Sequence, residues 1–191
     1  IEPRSSSDVP LKRGVGAARH EALMTTVRIE RASDVQRIRQ VNQAAFETSA
    51  EASLVDLLRE RGKLLVSLVA ESEGQIVGHV AFSRVYLASN AELHGLGLGP
   101  MAVIPSHQRQ GIGSQLVRTG LHQCAALGTR FVVVLGHPDY YPRFGFLPAS
   151  HFRFSCSWPV PEGVFMATEL TSGVLASAKG LVSYEPEFND V

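Results

Sequence analysis

The chain has 191 residues, 45% hydrophobic and 19% charged, with 18 basic side chains balanced by 18 acidic ones. That length suits one compact domain with a short appendage, and the zero net charge excludes the basic face that nucleic acid would require. No stretch approaches the roughly 18 consecutive apolar residues of a membrane helix, and the first residues lack a signal-peptide core, so no membrane partner is expected and the location reads as cytoplasmic.

Residues 1–23 show no apolar periodicity and read as an N-terminal leader or disordered extension, with Met24 as the functional start. Alternation through Val27 and Ile29 predicts a first strand. Ser33-Asp34 then serves as an N-cap, and Val35, Ile38, Val41 and Ala45 form one helical face. A second short helix carries Leu54, Leu57 and Leu58. Leu64–Ala70 and Gln75–Val85 read as a hairpin turned by Glu71-Ser72-Glu73-Gly74.

Leu96–Pro105 is strand-like but carries Gly97, Gly99 and Pro100, which mark a bulge or a close backbone approach. Ile112, Leu116, Val117 and Leu121 repeat at helical spacing up to Gly128, and the unbroken apolar run Phe131–Leu135 is a buried strand. A short segment with tyrosine and proline (Asp139–Phe144) follows, then strand candidates around Phe146–Phe154 and Phe165–Leu170. Cys124 falls in a helical pattern and Cys156 in a strand-like one, so two reduced thiols are expected.

The informative unit is Gln108-Arg109-Gln110-Gly111-Ile112-Gly113-Ser114, a loop entering a helix. Helix N-termini present unpaired N–H groups and a partial positive charge, and glycines let an anion approach them, so a pyrophosphate would fit. The same glycines also suit a tight turn with no ligand. There is no G-x-x-x-x-G-K-[ST], and Leu116 stands where a dinucleotide fingerprint needs its third glycine, so neither phosphoryl transfer nor a Rossmann site is supported.

Gln108-x-x-Gly111-x-Gly113 after an irregular strand resembles the Q/R-x-x-G-x-G/A motif of the GNAT superfamily of acyl-CoA N-acyltransferases. Tyr141-Pro142-Arg143-Phe144-Gly145-Phe146, after a buried strand, resembles the family's Y-x-x-x-G-F segment. The longer string Leu135–Phe146 is closest to a bacterial branch known as predicted N-acetyltransferases. The resemblance covers residues 26–171 as the core of a domain spanning 24–191. It implies an α/β (α+β) fold with a mixed, mainly antiparallel sheet, flanked by helices and splayed at the cofactor site. Acetyl-CoA is the implied co-substrate. Met101, Ala102 and Val103 would line its pantetheine arm, and Gln108, Arg109, Gln110, Gly111, Ile112, Gly113 and Ser114 would surround its pyrophosphate. Prolines on both sides of Tyr141 predict a shortened helix there.

An N-acetyltransferase must take a proton from an ammonium, stabilise an oxyanion and protonate a departing thiolate. Tyr141 is the candidate acid, because a phenol is protonated at neutral pH. Glu51, Glu92 and His94 are the candidate bases; each has a plainer reading as a helix-start or loop residue. Arg109 and Arg143 are candidates for coenzyme A phosphates. The histidines form no spaced ligand set, so no metal is expected. Aromatic residues crowd positions 140–158, and Trp158, in a proline-rich loop, is the candidate wall of an amine site. The expected activity is acetyl transfer to a primary amine by direct attack in a ternary complex; a non-catalytic acyl-CoA-binding or sensing domain is the alternative. Exposed strands at a splayed sheet also suit a homodimer.

Overall fold

The computed structural model describes residues 25–190. The leader predicted for residues 1–23, and Met24, lie outside that range. In chain order the elements are β1 (Thr26–Ile29), α1 (Val35–Ala45), α2 (Ala50–Glu60), β2 (Leu64–Ser72), β3 (Gln75–Leu87), β4 (Gly95–Val103), α3 (Ile112–Ala126), β5 (Phe131–Leu135), β6 (Leu147–Pro148), β7 (Phe154–Cys156), β8 (Phe165–Glu169) and β9 (Gly180–Tyr184). One mixed, mainly antiparallel sheet holds the order β1-β2-β3-β4-β5-β8-β6, with β9 joined to β3 and β7. Only β4–β5 and β7–β9 are parallel.

The predicted β2–β3 hairpin is present with a tighter turn. Glu73 and Gly74 alone reverse the chain, both at positive φ (50° and 73°), the arrangement whose twist matches paired strands. Glu71 and Ser72, assigned to the turn from sequence, instead extend β2 and pair with Ile76 and Gln75. Asp34 begins α1 without a side-chain cap to it; its carboxylate accepts the Arg31 N–H at 2.7 Å and pairs with Arg28 at 2.6 Å.

Helix α3 packs Ile112, Leu116, Val117 and Cys124 against Phe82, Leu96, Leu98, Val132 and Val134 on one sheet face. The approach is close at Gly120, where a Cβ would lie 2.4 Å from the Phe82 ring. Ile38 and Val41 of α1 and Val55 of α2 cover Val69, Ala81 and Ala102 on the other face. Buried His79 of β3 ties α1 to the sheet, its ring nitrogens facing Asn42 Nδ2 at 3.2 Å and Ser67 Oγ at 2.9 Å. Burial pushes its pKa down to about 3, so the imidazole is neutral. The far half of that face is closed by Phe131, Phe154, Phe165, Leu175, Val182 and Tyr184.

The C-terminal third departs most from expectation. Around Phe146–Phe154, where strand candidates are expected, two short strands are separated by a 3₁₀ turn at Ala149–Phe152. Strand β9 has no counterpart in the sequence-based assignment. Only three large apolar side chains fall in Gly180–Tyr184, one of them the exposed Leu181, too little for a periodicity to register. Both cysteines are free thiols, Cys124 buried in α3 and Cys156 half-buried in β7.

Candidate active site

Strand β4 runs beside β5 only from Gly95 to Leu98, opposite Phe131 to Val134. Beyond Leu98 the register with β3 slips between Val80 and Phe82, and β4 continues to Val103 with its β5-side edge unpaired. This is the bulge signalled by Gly99 and Pro100, and it opens a V-shaped gap between two strands of one sheet. A groove of about 850 Å³ occupies the gap and runs out over the start of α3.

One wall is β4. Met101 and Val103 face the groove. Ala102, expected beside them, points to the opposite face and packs against α1, because neighbouring side chains of a strand alternate. The floor is the loop into α3. Gly111 stands at φ +84° as the N-cap, and the first helical bond is Gln115 N–H to Gly111 O at 3.0 Å. The six consecutive backbone N–H groups from Arg109 to Ser114 therefore find no acceptor among the described residues. Such a row is a concentrated donor for an anion, strengthened by the α3 dipole.

Arg109 adds a non-glycine φ of +60°, a conformation shared in this chain with Glu73 and Arg153. Gln108 lines the groove, and its amide braces the loop by donating to Val103 O at 2.9 Å. The Ile112 side chain is buried in the core and Gln110 lies outside the groove, its amide donating to Ser106 O at 3.2 Å; both offer backbone only.

The opposite wall is the segment after β5. Tyr141 opens a single 3₁₀ turn, Tyr141–Phe144, in place of a full helix; Pro142 sits in its first turn, and Gly145 at φ +88° ends it. Its ring is wedged over Gly136, where a Cβ would come within 2.1 Å, and edge-on to Tyr140, Phe144 and Phe146. Burial, with Tyr140 adding to it, raises the Tyr141 pKa well above that of a free phenol. The hydroxyl is thus a proton donor throughout the physiological range.

The other acid–base candidates stand elsewhere. Glu51 lies in the first turn of α2, within 3.3 Å of Thr48 Oγ1, and does not border the groove. His94 is exposed just ahead of β4, seven residues before Met101, which at about 3.3 Å per residue is about 20 Å from the groove wall. Glu92 sits in the exposed turn before it, its N–H donating to Asn90 Oδ1. Trp158 lines a separate hollow of about 330 Å³ with Cys156 and Pro159, and its ring lies 5.2 Å from Tyr184. The groove also holds Arg143, a candidate from sequence, and brings in Phe46, His107, His137, Asp139 and Tyr140. The sequence signal for most of them was proximity to Tyr141 alone; Phe46 is delivered by the end of α1. Tyr184 also went unread. Its ring crosses Gly97, where a Cβ would be 2.4 Å away, and its buried hydroxyl has no partner among the described residues.

Residues 34–146 match the family described as Acetyltransferase (GNAT) family. The chain belongs to the GNAT acetyltransferases. This GNAT protein is 40% identical over 164 residues to the uncharacterized N-acetyltransferase YhbS of Escherichia coli K12, covering 85% of its own length and 98% of the relative's. It is 39% identical over 141 residues to the uncharacterized N-acetyltransferase YjhQ of the same organism, covering 72% and 78%. The crystal structure of E. coli YhbS in complex with CoA superimposes with a TM-score of 0.84 at 38% identity, covering 93% and 96% of the two chains. A GNAT acetyltransferase from Brucella melitensis in complex with acetyl-CoA gives 0.72 at 35%, covering 86% and 98%. Among the described residues no group of His, Cys, Asp and Glu could hold a metal, and no helix is long and apolar enough to cross a membrane.

Proposed function

We propose that this GNAT acetyltransferase moves an acetyl group from acetyl-CoA to a primary amine by direct attack in a ternary complex. The observation that carries the reading is the row of unsatisfied amides from Arg109 to Ser114 lying beside an unpaired strand edge and facing Tyr141. Those amides suit a pyrophosphate, and the glycines leave it room: a Cβ at Gly111 would meet nothing within 4 Å. The free edge of β4 after Leu98 offers N–H and C=O groups in the extended pattern a pantetheine amide can pair with. Relatives whose structures contain CoA and acetyl-CoA support this assignment.

Tyr141 is the proposed acid. Its raised pKa keeps the proton on the phenol, which is placed to donate to the departing sulfur as negative charge builds there in the transition state; such assistance contributes about 10²–10⁴-fold. The acceptor must lose a proton before attack. Of the side chains able to act as a base, His107, His137 and Asp139 border the groove whereas Glu51 and His94 do not, so we assign amine deprotonation to the groove rim. The amine site is proposed on the side of the sheet where Tyr184 and Trp158 stack.

The test is a thermal-shift titration with acetyl-CoA beside a thiol-release screen across polyamines, amino acids and lysine peptides. A saturable shift with thiol release is expected. A shift without turnover of any amine would favour a sensing domain, and no shift would overturn the reading.

A further inference from the structure

Two guanidinium groups border the groove: Arg109 in the loop before α3 and Arg143 in the 3₁₀ turn that Tyr141 opens. Arg109 shares the loop with the row of free amides. Arg143 stands apart on the outer wall, and its surroundings fix its direction. The guanidinium lies 4.8 Å from the centre of the Tyr140 ring, and Nη2 donates to the Asp139 backbone carbonyl at 3.3 Å. Tyr140 is itself immobilised, edge-on to Tyr141 at 5.1 Å and to Phe144 at 5.3 Å. Its hydroxyl reaches the start of α3, where Gly113 makes room: a Cβ there would be 2.8 Å from it. The Tyr140 ring thus has its hydroxyl at the anion cradle and Arg143 stacked over it, which places the guanidinium beside the free amides and outside their row.

No carboxylate lies within ion-pairing distance of Arg143 among the described residues; Asp139, the one carboxylate on the groove wall, meets it only through the main chain. A stacked arginine keeps its planar fork oriented and loses less freedom on binding than a free one, which suits it to a phosphate dianion. Coenzyme A offers two anionic groups, the internal pyrophosphate and a terminal 3′-phosphate on the ribose. The six amides answer the first. We propose that Arg143, held over Tyr140, reads the second, and so restricts the acyl donor to CoA thioesters that carry the 3′-phosphate. This rests on the CoA assignment above, and adds a specificity residue to it.

The experiment is calorimetric titration of the full chain with CoA and with 3′-dephospho-CoA, for the wild type, Arg143→Gln and Arg109→Gln. The wild type should bind CoA about tenfold more tightly than dephospho-CoA, the scale of one charge-assisted contact. Arg143→Gln should weaken CoA by about the same factor, leave dephospho-CoA unchanged and abolish the preference. Arg109→Gln should weaken both ligands together, since the pyrophosphate is common to them. Equal binding of the two ligands by the wild type would overturn the proposal, as would a preference that survives in Arg143→Gln or is lost in Arg109→Gln instead. Binding of neither ligand would overturn the CoA assignment itself, and this inference with it.

Discussion

Gly136→Ala is the sharpest test of Tyr141 as the acid, because it acts on the position of the phenol and leaves its chemistry intact. The added Cβ would sit 2.1 Å from Cε2 and 2.8 Å from Cδ2 of the Tyr141 ring, where carbon contacts are normally about 3.5–4 Å. The ring must therefore retreat by about 1.5 Å or β5 must open. Overpacking of this kind costs about 1–3 kcal/mol, which for a chain of 191 residues lowers Tm by about 2–10 °C. A misplacement of about 1 Å at a reacting group costs about 10²-fold in rate. Affinity for CoA should change little, since Gly136 lies behind the ring and the amides of the α3 loop are untouched.

The assays are thiol release at saturating acetyl-CoA with the best amine from the screen, thermal unfolding, and calorimetric titration with CoA. Tyr141→Phe is the control. It removes the hydroxyl and keeps the packed ring, so kcat should fall by about 10²–10⁴-fold with Tm nearly unchanged. A Gly136→Ala protein with lowered Tm and undiminished kcat would show that the clash occurs and that the position of Tyr141 is irrelevant to turnover.

Gly111→Val places a branched side chain at φ +84° on the floor of the groove, so CoA affinity should drop at least about tenfold in titration. Normal affinity in the folded variant would remove the loop from the anion site. Gly120→Ala drives a Cβ to 2.4 Å from Phe82, and urea unfolding should show a loss of about 1–3 kcal/mol; no loss would mean that α3 is free to lift from the sheet. Glu187 is fully buried between Arg61 and Lys63. Burial alone would raise its pKa, but hydrogen bonds from Lys63 and Arg61 outweigh that and lower it from 4.5 to about 2. A depressed carboxylate stabilises the fold above its unfolded pKa, and that contribution disappears as pH falls from about 4.5 toward 2. Glu187→Gln should accordingly be less stable than the wild type at pH 7 and lose less over that acid range in urea titrations.

Local signals were sufficient for much of the molecule. The β2–β3 hairpin, α3 and the buried β5 follow from runs and periodicities within a dozen residues, since the water-avoiding face of an element is written in its own spacing. Gly111 and Gly113 likewise announce the anion loop, because the need for positive φ and for missing Cβ atoms is a property of single residues. A shortened helix at Tyr141 was expected from its prolines, and it is Gly145 at positive φ that ends the turn.

What remained illegible depends on partners distant in the chain. Whether Ala102 faces the cofactor or α1 is decided by which residue of β4 starts the bulge, and that register comes from pairing with β3. Glu51 and His94 were candidate bases on local grounds, and only the path of the chain shows that neither borders the groove. Strand β9 exists because β3 and β7 supply its hydrogen bonds, not because Gly180–Tyr184 prefers to be extended, and through it Tyr184 reaches Gly97. The amino-acid sequence thus determined the periodic elements and the glycine-lined cradle, both set by short-range sterics and hydrophobic spacing. Tertiary packing alone decided which side chains meet across the splay of β4 and β5, because that meeting is a matter of strand register and of contacts closed over long loops.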